Sequence, residues 1–222
     1  VEWLRVMQSA SGGWGSFDAD NDRHYMTQLP LCDFGEVIDP PTEDVTGHVV
    51  EALMAAGAPP GDPAVRRALE YLRREQREDG SWWGRWGVNH IYGTGAVLPA
   101  LAAAGEDMGQ PYVRRAVDWL ASRQNPDGGW GEDVLSYVDP AWVGRGPSTP
   151  SQTAWALLAL LAVDREHGAV AGGVRYLVER QQDDGSWEEK QFTGTGFPMD
   201  FMIKYHYYRL YFPLTALARY LA

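Results

Sequence analysis

Apolar residues recur with a helical period along much of the chain. After Asp62-Pro63, residues Val65, Ala68, Leu69 and Leu72 fall at i, i+3, i+4 and i+7. That is one stripe of an amphipathic helix, with an Asp N-cap and a proline at its first position. Pro111 opens a second such stretch, with Val113, Ala116, Val117 and Leu120 in the same register. Val174, Leu177 and Val178 mark a third. Between these lie more uniformly apolar, small-residue segments: Val45 to Ala56, Gly95 to Ala104 and Ser151 to Val163. Such segments predict buried helices. A further helix-like run covers Val1 to Gln8, and no segment sustains strand alternation. The pattern predicts an all-α fold of helix pairs, one outer and amphipathic and one buried, in a single domain over residues 1–222.

A repeat punctuates the pairs. Gln-x3-Gly-x-Trp occurs at Gln8/Gly12/Trp14, Gln76/Gly80/Trp82, Gln124/Gly128/Trp130 and Gln181/Gly185/Trp187. Three of the glycines follow Asp, which is turn chemistry, with glycine free to take positive φ. A Gln amide at a helix end can donate to one backbone group and accept from the next, and a Trp beyond the turn can stack over it. These residues are therefore expected to be stability staples. Repeats roughly 50–70 residues apart are long for common solenoids and favour an α/α toroid over an open stack. About four pairs are too few to close a six-pair ring, so the toroid is expected to be incomplete in this chain.

Composition narrows the function. The formal net charge is -11 and no basic stripe offsets it, which argues against nucleic acid as a partner. Cys32 is the single cysteine, so no internal disulfide forms and a reducing compartment is the default. The chain starts inside a helix-like run without Met, as expected of a piece of a longer protein. Ten Trp and eleven Tyr exceed what a core alone explains.

The segments between repeats carry a resemblance. Cys32-Asp33-Phe34-Gly35-Glu36-Val37, Asp39-Pro40-Pro41, Glu43-Asp44-Val45-Thr46, Gly84-Arg85-Trp86-Gly87-Val88-Asn89, Tyr92-Gly93-Thr94-Gly95-Ala96, Ser148 to Trp155 and Thr193-Gly194-Thr195-Gly196-Phe197-Pro198 closely resemble the C-terminal part of the bacterial squalene–hopene cyclases. The resemblance spans the chain and implies a class II triterpene cyclase, an intramolecular isomerase or lyase that protonates a polyprenoid and closes it into fused rings, giving hopene- or hopanol-type pentacycles from squalene. It implies no cofactor and no metal. The implied partners are squalene or a similar polyprenoid and the remaining N-terminal portion of the same enzyme. That portion would also bring contact with the cytoplasmic face of the cell membrane, as a monotopic protein. A homodimer stays open. The family's proton donor lies in an Asp-x-Asp-Asp string that these residues lack. Asp18 and Asp20 do not replace it, because Asn21 breaks the motif, and they read as loop residues. The isolated chain is accordingly expected to be inactive.

Site residues follow from the same resemblance. Asp44 and His48, four apart at a helix start, match the pair that assists the upstream acid. On the residues alone, Asp44 also fits as a carboxylate complementing a helix dipole. Phe17, Trp86, Tyr92, Phe197, Phe201, Tyr205 and Tyr208 match cavity positions. The last four form one helical stripe if Pro198 opens a helix. Leu31, Cys32, Asp33, Phe34 and Asp39 match the segment that narrows the substrate channel. Phe17 departs from the pattern, which has Tyr there, and Leu31 replaces an aromatic, so product fidelity and gate shape are open. Three other readings compete. A prenyltransferase-type toroid would need a zinc site, for which Cys32, Asp33 and His48 supply the residue types. An inverting glycosidase would need a carboxylate pair such as Glu132 and Asp133, or Asp18 and Asp20. A non-catalytic toroid module would need neither. Oxidosqualene or another polyprenoid remains an alternative substrate.

Overall fold

The computed structural model describes residues 1–28, 37–198 and 200–222. Its helices are α1 (Glu2–Val6), α2 (Glu43–Ala55), α3 (Pro63–Glu75), α4 (His90–Ala103), α5 (Pro111–Ser122), α6 (Pro150–Val163), α7 (Gly168–Arg180) and α8 (Tyr208–Leu221). Short 3-10 turns lie at His24–Gln28, Val134–Tyr137 and Pro140–Trp142. Between α7 and α8, strands β1 (Gly194–Phe197) and β2 (Phe201–Ile203) pair antiparallel.

The helices form two layers. α2, α4, α6 and α8 pack successively against one another as an inner row, and α3 and α7 lie outside α2 and α6. The outer helices have one apolar face, and α3 and α5 start at the predicted residues. Asp62 Oδ1 accepts from Ala64 N and Val65 N at 2.9 and 3.3 Å, and Pro63 and Pro111 stand in the first turns of α3 and α5. The inner helices are buried nearly all round: His90 to Leu101 in α4 and Pro150 to Leu160 in α6. They pack closely at small residues. A Cβ on Gly95 would stand 2.9 Å from Trp155 Cβ.

The repeat works as a staple by a different geometry from the predicted one. Each Gln Nε2 donates to the carbonyl of its own motif glycine, at 2.8 Å for Gln8, Gln76 and Gln124 and 3.0 Å for Gln181. In the first three motifs it also donates to a carbonyl at the start of the next outer helix, Ala64 O, Tyr112 O or Ala169 O. Oε1 then accepts from an arginine of that helix, Arg67 for Gln8 and Arg115 for Gln76. Trp14, Trp82, Trp130 and Trp187 are all buried, and each indole Nε1 donates to a carbonyl ten residues earlier. Those acceptors are Leu4, Leu72, Leu120 and Leu177. The bond satisfies an orphan carbonyl of the preceding helix end. The motif glycines all have positive φ, from 80° to 97°.

Three expectations fail. The fourth motif, Gln181 to Trp187, is not equivalent to the other three. Its Gln181 is exposed, and among the described residues no outer helix follows α7 to supply a second carbonyl. Trp187 instead closes its own turn through an antiparallel bridge with Gln181, and its carbonyl accepts from Arg209 of α8. Its carbonyl thus ties α7 to the inner helix α8, and the outer-to-outer link made by Gln8, Gln76 and Gln124 has no counterpart at Gln181 among the described residues. Pro198 does not open a helix: Phe197 and Phe201 stand on the two strands, paired with each other, and only Tyr208 reaches α8. The segment is glycine-rich and is captured by a distant loop. Val88 N donates to Thr193 O at 2.9 Å, and Thr195 N to Trp86 O at 3.3 Å. Val178, assigned to an apolar face, is 57% exposed, and Tyr176 takes its place in the core beside Leu177, which is buried as expected.

Candidate active site

The site gathers at the N-terminal ends of the inner helices. In each of the first three motifs the Trp backbone N–H donates to a threonine hydroxyl one turn into an inner helix: Trp14 to Thr46, Trp82 to Thr94 and Trp130 to Thr153. Aligned on these threonines, the residues two before and two after are Asp44 and His48, Tyr92 and Ala96, Ser151 and Trp155. Positions four apart share a helix face, so three repeats place His48, Tyr92 and Trp155 on neighbouring helices.

Asp44 is fully buried. Its Oδ2 accepts from Arg85 N at 3.1 Å and Trp86 N at 3.0 Å, while Oδ1 has no hydrogen-bond partner among the described residues. His48 is exposed and its Nε2 lies 3.0 Å from the Tyr92 hydroxyl. The predicted pair therefore shares a helix face, with Asp44 bonded to the Trp86 loop and His48 to Tyr92.

From His48 an aromatic path runs across the inner row. Tyr92 stands edge-on to Trp155 with centroids 4.7 Å apart, and Trp155 meets Tyr208 at 5.8 Å and Phe212 at 5.3 Å. Tyr208 in turn contacts Tyr205 at 4.6 Å and Tyr211 at 5.8 Å. The hairpin brings Tyr205 here, because Gly194 leaves its ring room: a Cβ there would stand 2.4 Å from it. Phe197 and Phe201 lie 6.4 Å apart on the hairpin, Phe201 half exposed. Trp86 is held edge-on to Phe17 at 5.9 Å, its Nε1 donates to Ser16 Oγ at 2.6 Å, and the Arg85 guanidinium lies 5.4 Å from its ring centre. Phe17 itself is 68% exposed. Burial pushes the Tyr92 phenol well above its usual range, and raises Tyr208 and Tyr211 as well. These rings stay neutral and keep their π faces available to a cation.

A cavity of about 230 Å³ lies between α2, α4, α6 and α8, lined by His48, Tyr92, Ala96, Trp155, Tyr211 and Phe212 among others. Larger clefts of 440 and 460 Å³ lie elsewhere, one around Tyr176 and Lys190 and one around His90 and Val138. Neither touches the aromatic path.

The matching family model is that of the squalene–hopene cyclase C-terminal domain, and it covers residues 1–222. The chain belongs to this family. It is 59% identical over 219 residues to the squalene–hopene cyclase of Alicyclobacillus acidocaldarius, covering 98% of this chain and 35% of that protein. It is 42% identical over 246 residues to dammaradiene synthase of Dryopteris crassirhizoma, covering 99% and 36%. The chain thus spans about a third of the length of these curated relatives. Among solved structures it resembles the type II terpene cyclase MstE from Scytonema, with a TM-score of 0.61 and 26% identity over 88% of this chain and 52% of that one. Part of an α/α toroid is therefore the fold of this chain, and the squalene–hopene cyclase C-terminal domain is its family.

The remaining predicted residues separate. Asp39 is buried, and its Oδ2 accepts from Phe17 N at 2.5 Å and Asp18 N at 2.8 Å, which fastens the turn that carries Phe17. Leu31, Cys32, Asp33 and Phe34 lie outside the described residues. Asp18 and Asp20 are loop residues, Asp20 with φ 56°. Glu132 and Asp133 do not act as a pair. Glu132 Oε2 accepts from Asn89 N and Ile91 N, and Asp133 caps the Val134–Tyr137 turn. Sequence reasoning missed Trp155, Tyr211 and Phe212. The threonine alignment identifies Trp155, and the run Tyr205 to Phe212 is itself dense in aromatics.

Proposed function

We propose that this chain forms the C-terminal wall of the reaction cavity in a whole protein that cyclises squalene, by proton initiation, to hopene- or hopanol-type pentacycles. The observation that carries this reading is the unbroken path of rings from His48 through Tyr92, Trp155 and Tyr208 to Tyr205, with the buried phenols neutral. An acid outside this chain would protonate a terminal alkene to a tertiary cation. Each following alkene attacks the cation, forms a C–C bond and passes the charge on. Loss of a proton gives hopene, and capture of water gives hopanol, so the sequence is redox-neutral. Aromatic faces stabilise the travelling charge, each by roughly 2 kcal/mol when desolvated. In this reading His48, which lines the cavity, assists the acid, while Asp44, whose Oδ1 has no hydrogen-bond partner among the described residues, lies buried one turn before it.

The seating of the whole protein on the cytoplasmic face of the membrane belongs to the same proposal. It is supported by the bilayer solubility of squalene; among the described residues no helix is long and apolar enough to cross a membrane. The test is the product profile of the whole protein with squalene, read by gas chromatography. Phe201→Leu and Tyr205→Leu keep bulk and lose the ring, so partially cyclised products are expected. Normal products at a normal rate from both would return these rings to ordinary packing.

A further inference from the structure

Trp86 is carried by a four-residue loop, Gly84 to Gly87, whose backbone is bound from several sides. Asp44 Oδ2 accepts from Arg85 N and Trp86 N. Thr195 Oγ1 donates to Arg85 O at 3.1 Å, and Thr195 N to Trp86 O at 3.3 Å. The two outer carbonyls, Gly84 O and Gly87 O, converge on one group. The Tyr137 hydroxyl lies 2.8 and 2.9 Å from them and shares its proton between the two. Tyr137 ends the Val134–Tyr137 turn of the following repeat, its ring edge-on to Trp83 at 5.9 Å. The loop lies flat on Tyr92, where a Cβ on Gly87 would stand 2.4 Å from the ring.

We infer that Tyr137 is a positioning residue: its hydroxyl, together with the Asp44 carboxylate, sets where the Trp86 indole stands against Phe17. The inference rests on the reading proposed above. Two glycines in four residues give the loop wide backbone freedom, so its geometry must come from its partners. Asp44 supplies acceptors for its N–H groups, and Tyr137 supplies the donor for its outer carbonyls. Burial pushes the Tyr137 phenol well above its ordinary range, which keeps it a donor throughout the neutral range. Asp44 thereby gains a role through Trp86, separate from any assistance to the acid.

The test uses the whole protein as wild type, Tyr137→Phe, Trp86→Leu and the double variant, with squalene. Misplacement of Trp86 by about 1 Å is expected to lower kcat by up to ~10²-fold. Tyr137→Phe should also raise the share of early-terminated products. In the Trp86→Leu background, adding Tyr137→Phe should leave the product ratio where Trp86→Leu alone puts it, because the hydroxyl acts through the indole. A wild-type profile from Tyr137→Phe, or additive shifts in the double variant, overturns the inference. Should Tyr137→Phe not fold, Ser16→Ala frees only the indole N–H and should shift products in the same direction; unchanged products from it overturn the inference. A crystal structure of Tyr137→Phe reads the claim without activity: Trp86 displaced supports it, and Trp86 superposed on wild type overturns it. Absence of cyclised product from the folded wild type would count against the proposed function alone.

Discussion

Inner helices α4 and α6 receive a carboxylate at their N-termini from the following repeat, whereas α2 sends one out. Glu132 and Glu189 stand two residues after Trp130 and Trp187. Glu132 Oε2 accepts from Asn89 N and Ile91 N at the start of α4. Glu189 Oε2 accepts from Ser151 N and Ser151 Oγ at the start of α6. After Trp82 the same position is Gly84, where a Cβ would stand 2.6 Å from Asn89 O. Here the bond is reversed: Asp44, on the helix, accepts from the Arg85–Trp86 loop. A repeat that solves the same end-capping problem twice in one way is structural. The helix that departs from it carries His48 at the mouth of the aromatic cavity.

The sharpest break between the two kinds of region comes from a staple. Trp130→Val removes a fully buried indole and its bond to Leu120 O. It should cost the whole protein about 3–5 kcal/mol in denaturant unfolding, with product identity unchanged. Altered products at unaltered stability would move the repeats into the cavity. Next in size, Glu189→Ala strips Ser151 N, Ser151 Oγ and Thr193 Oγ1 of their buried acceptor, at about 1.5–3 kcal/mol. Glu132→Ala should behave alike if the two ends are equivalent. A stability loss from one and none from the other would end the comparison.

An effect that is smaller per pH unit separates α2. Its first residue is a second acid, Glu43, where α4 and α6 begin with His90 and Pro150. Burial outweighs the attraction of Arg77, 3.3 Å away, and pushes the Glu43 carboxyl up to about 8. Between 4.5 and that value the folded chain holds a proton that the unfolded chain releases. The associated stabilisation is full at low pH and is lost as pH rises through 8, with a slope of at most about 1.4 kcal/mol per pH unit. Glu43→Gln should flatten the slope over this range in unfolding titrations. An unchanged slope would remove Glu43 as its source.

The helices, their Asp and Pro starts and the repeated Trp anchors were legible because the 3.6-residue period and end chemistry are local. The Trp–Leu bond was also there to be read, as four leucines ten residues ahead of the four Trp. That the Trp187 motif differs from its three predecessors was not, because the difference lies in what packs beside Gln181 and not in the motif's own residues. The hairpin was hidden too, since spacing alone makes Phe197, Phe201, Tyr205 and Tyr208 a helical stripe. What decides the matter is pairing with a loop more than a hundred residues away, through Thr195 and Arg85. Long-range contact likewise explains why Asp44 read only as a helper of the acid beside His48 or as a complement to the helix dipole. The Arg85 and Trp86 N–H groups that bind it are about forty residues on, beyond any helical period.

One paired measurement tests the division most directly: turnover of squalene per folded molecule, with unfolding followed on the same samples, for Glu189→Gln and His48→Ala in the whole protein. Glu189→Gln is expected to unfold earlier yet turn over squalene like wild type while folded. His48→Ala is expected to unfold like wild type and to lose roughly 10²–10⁴-fold in turnover. Wild-type turnover from His48→Ala, or a catalytic loss in folded Glu189→Gln, would contradict that division.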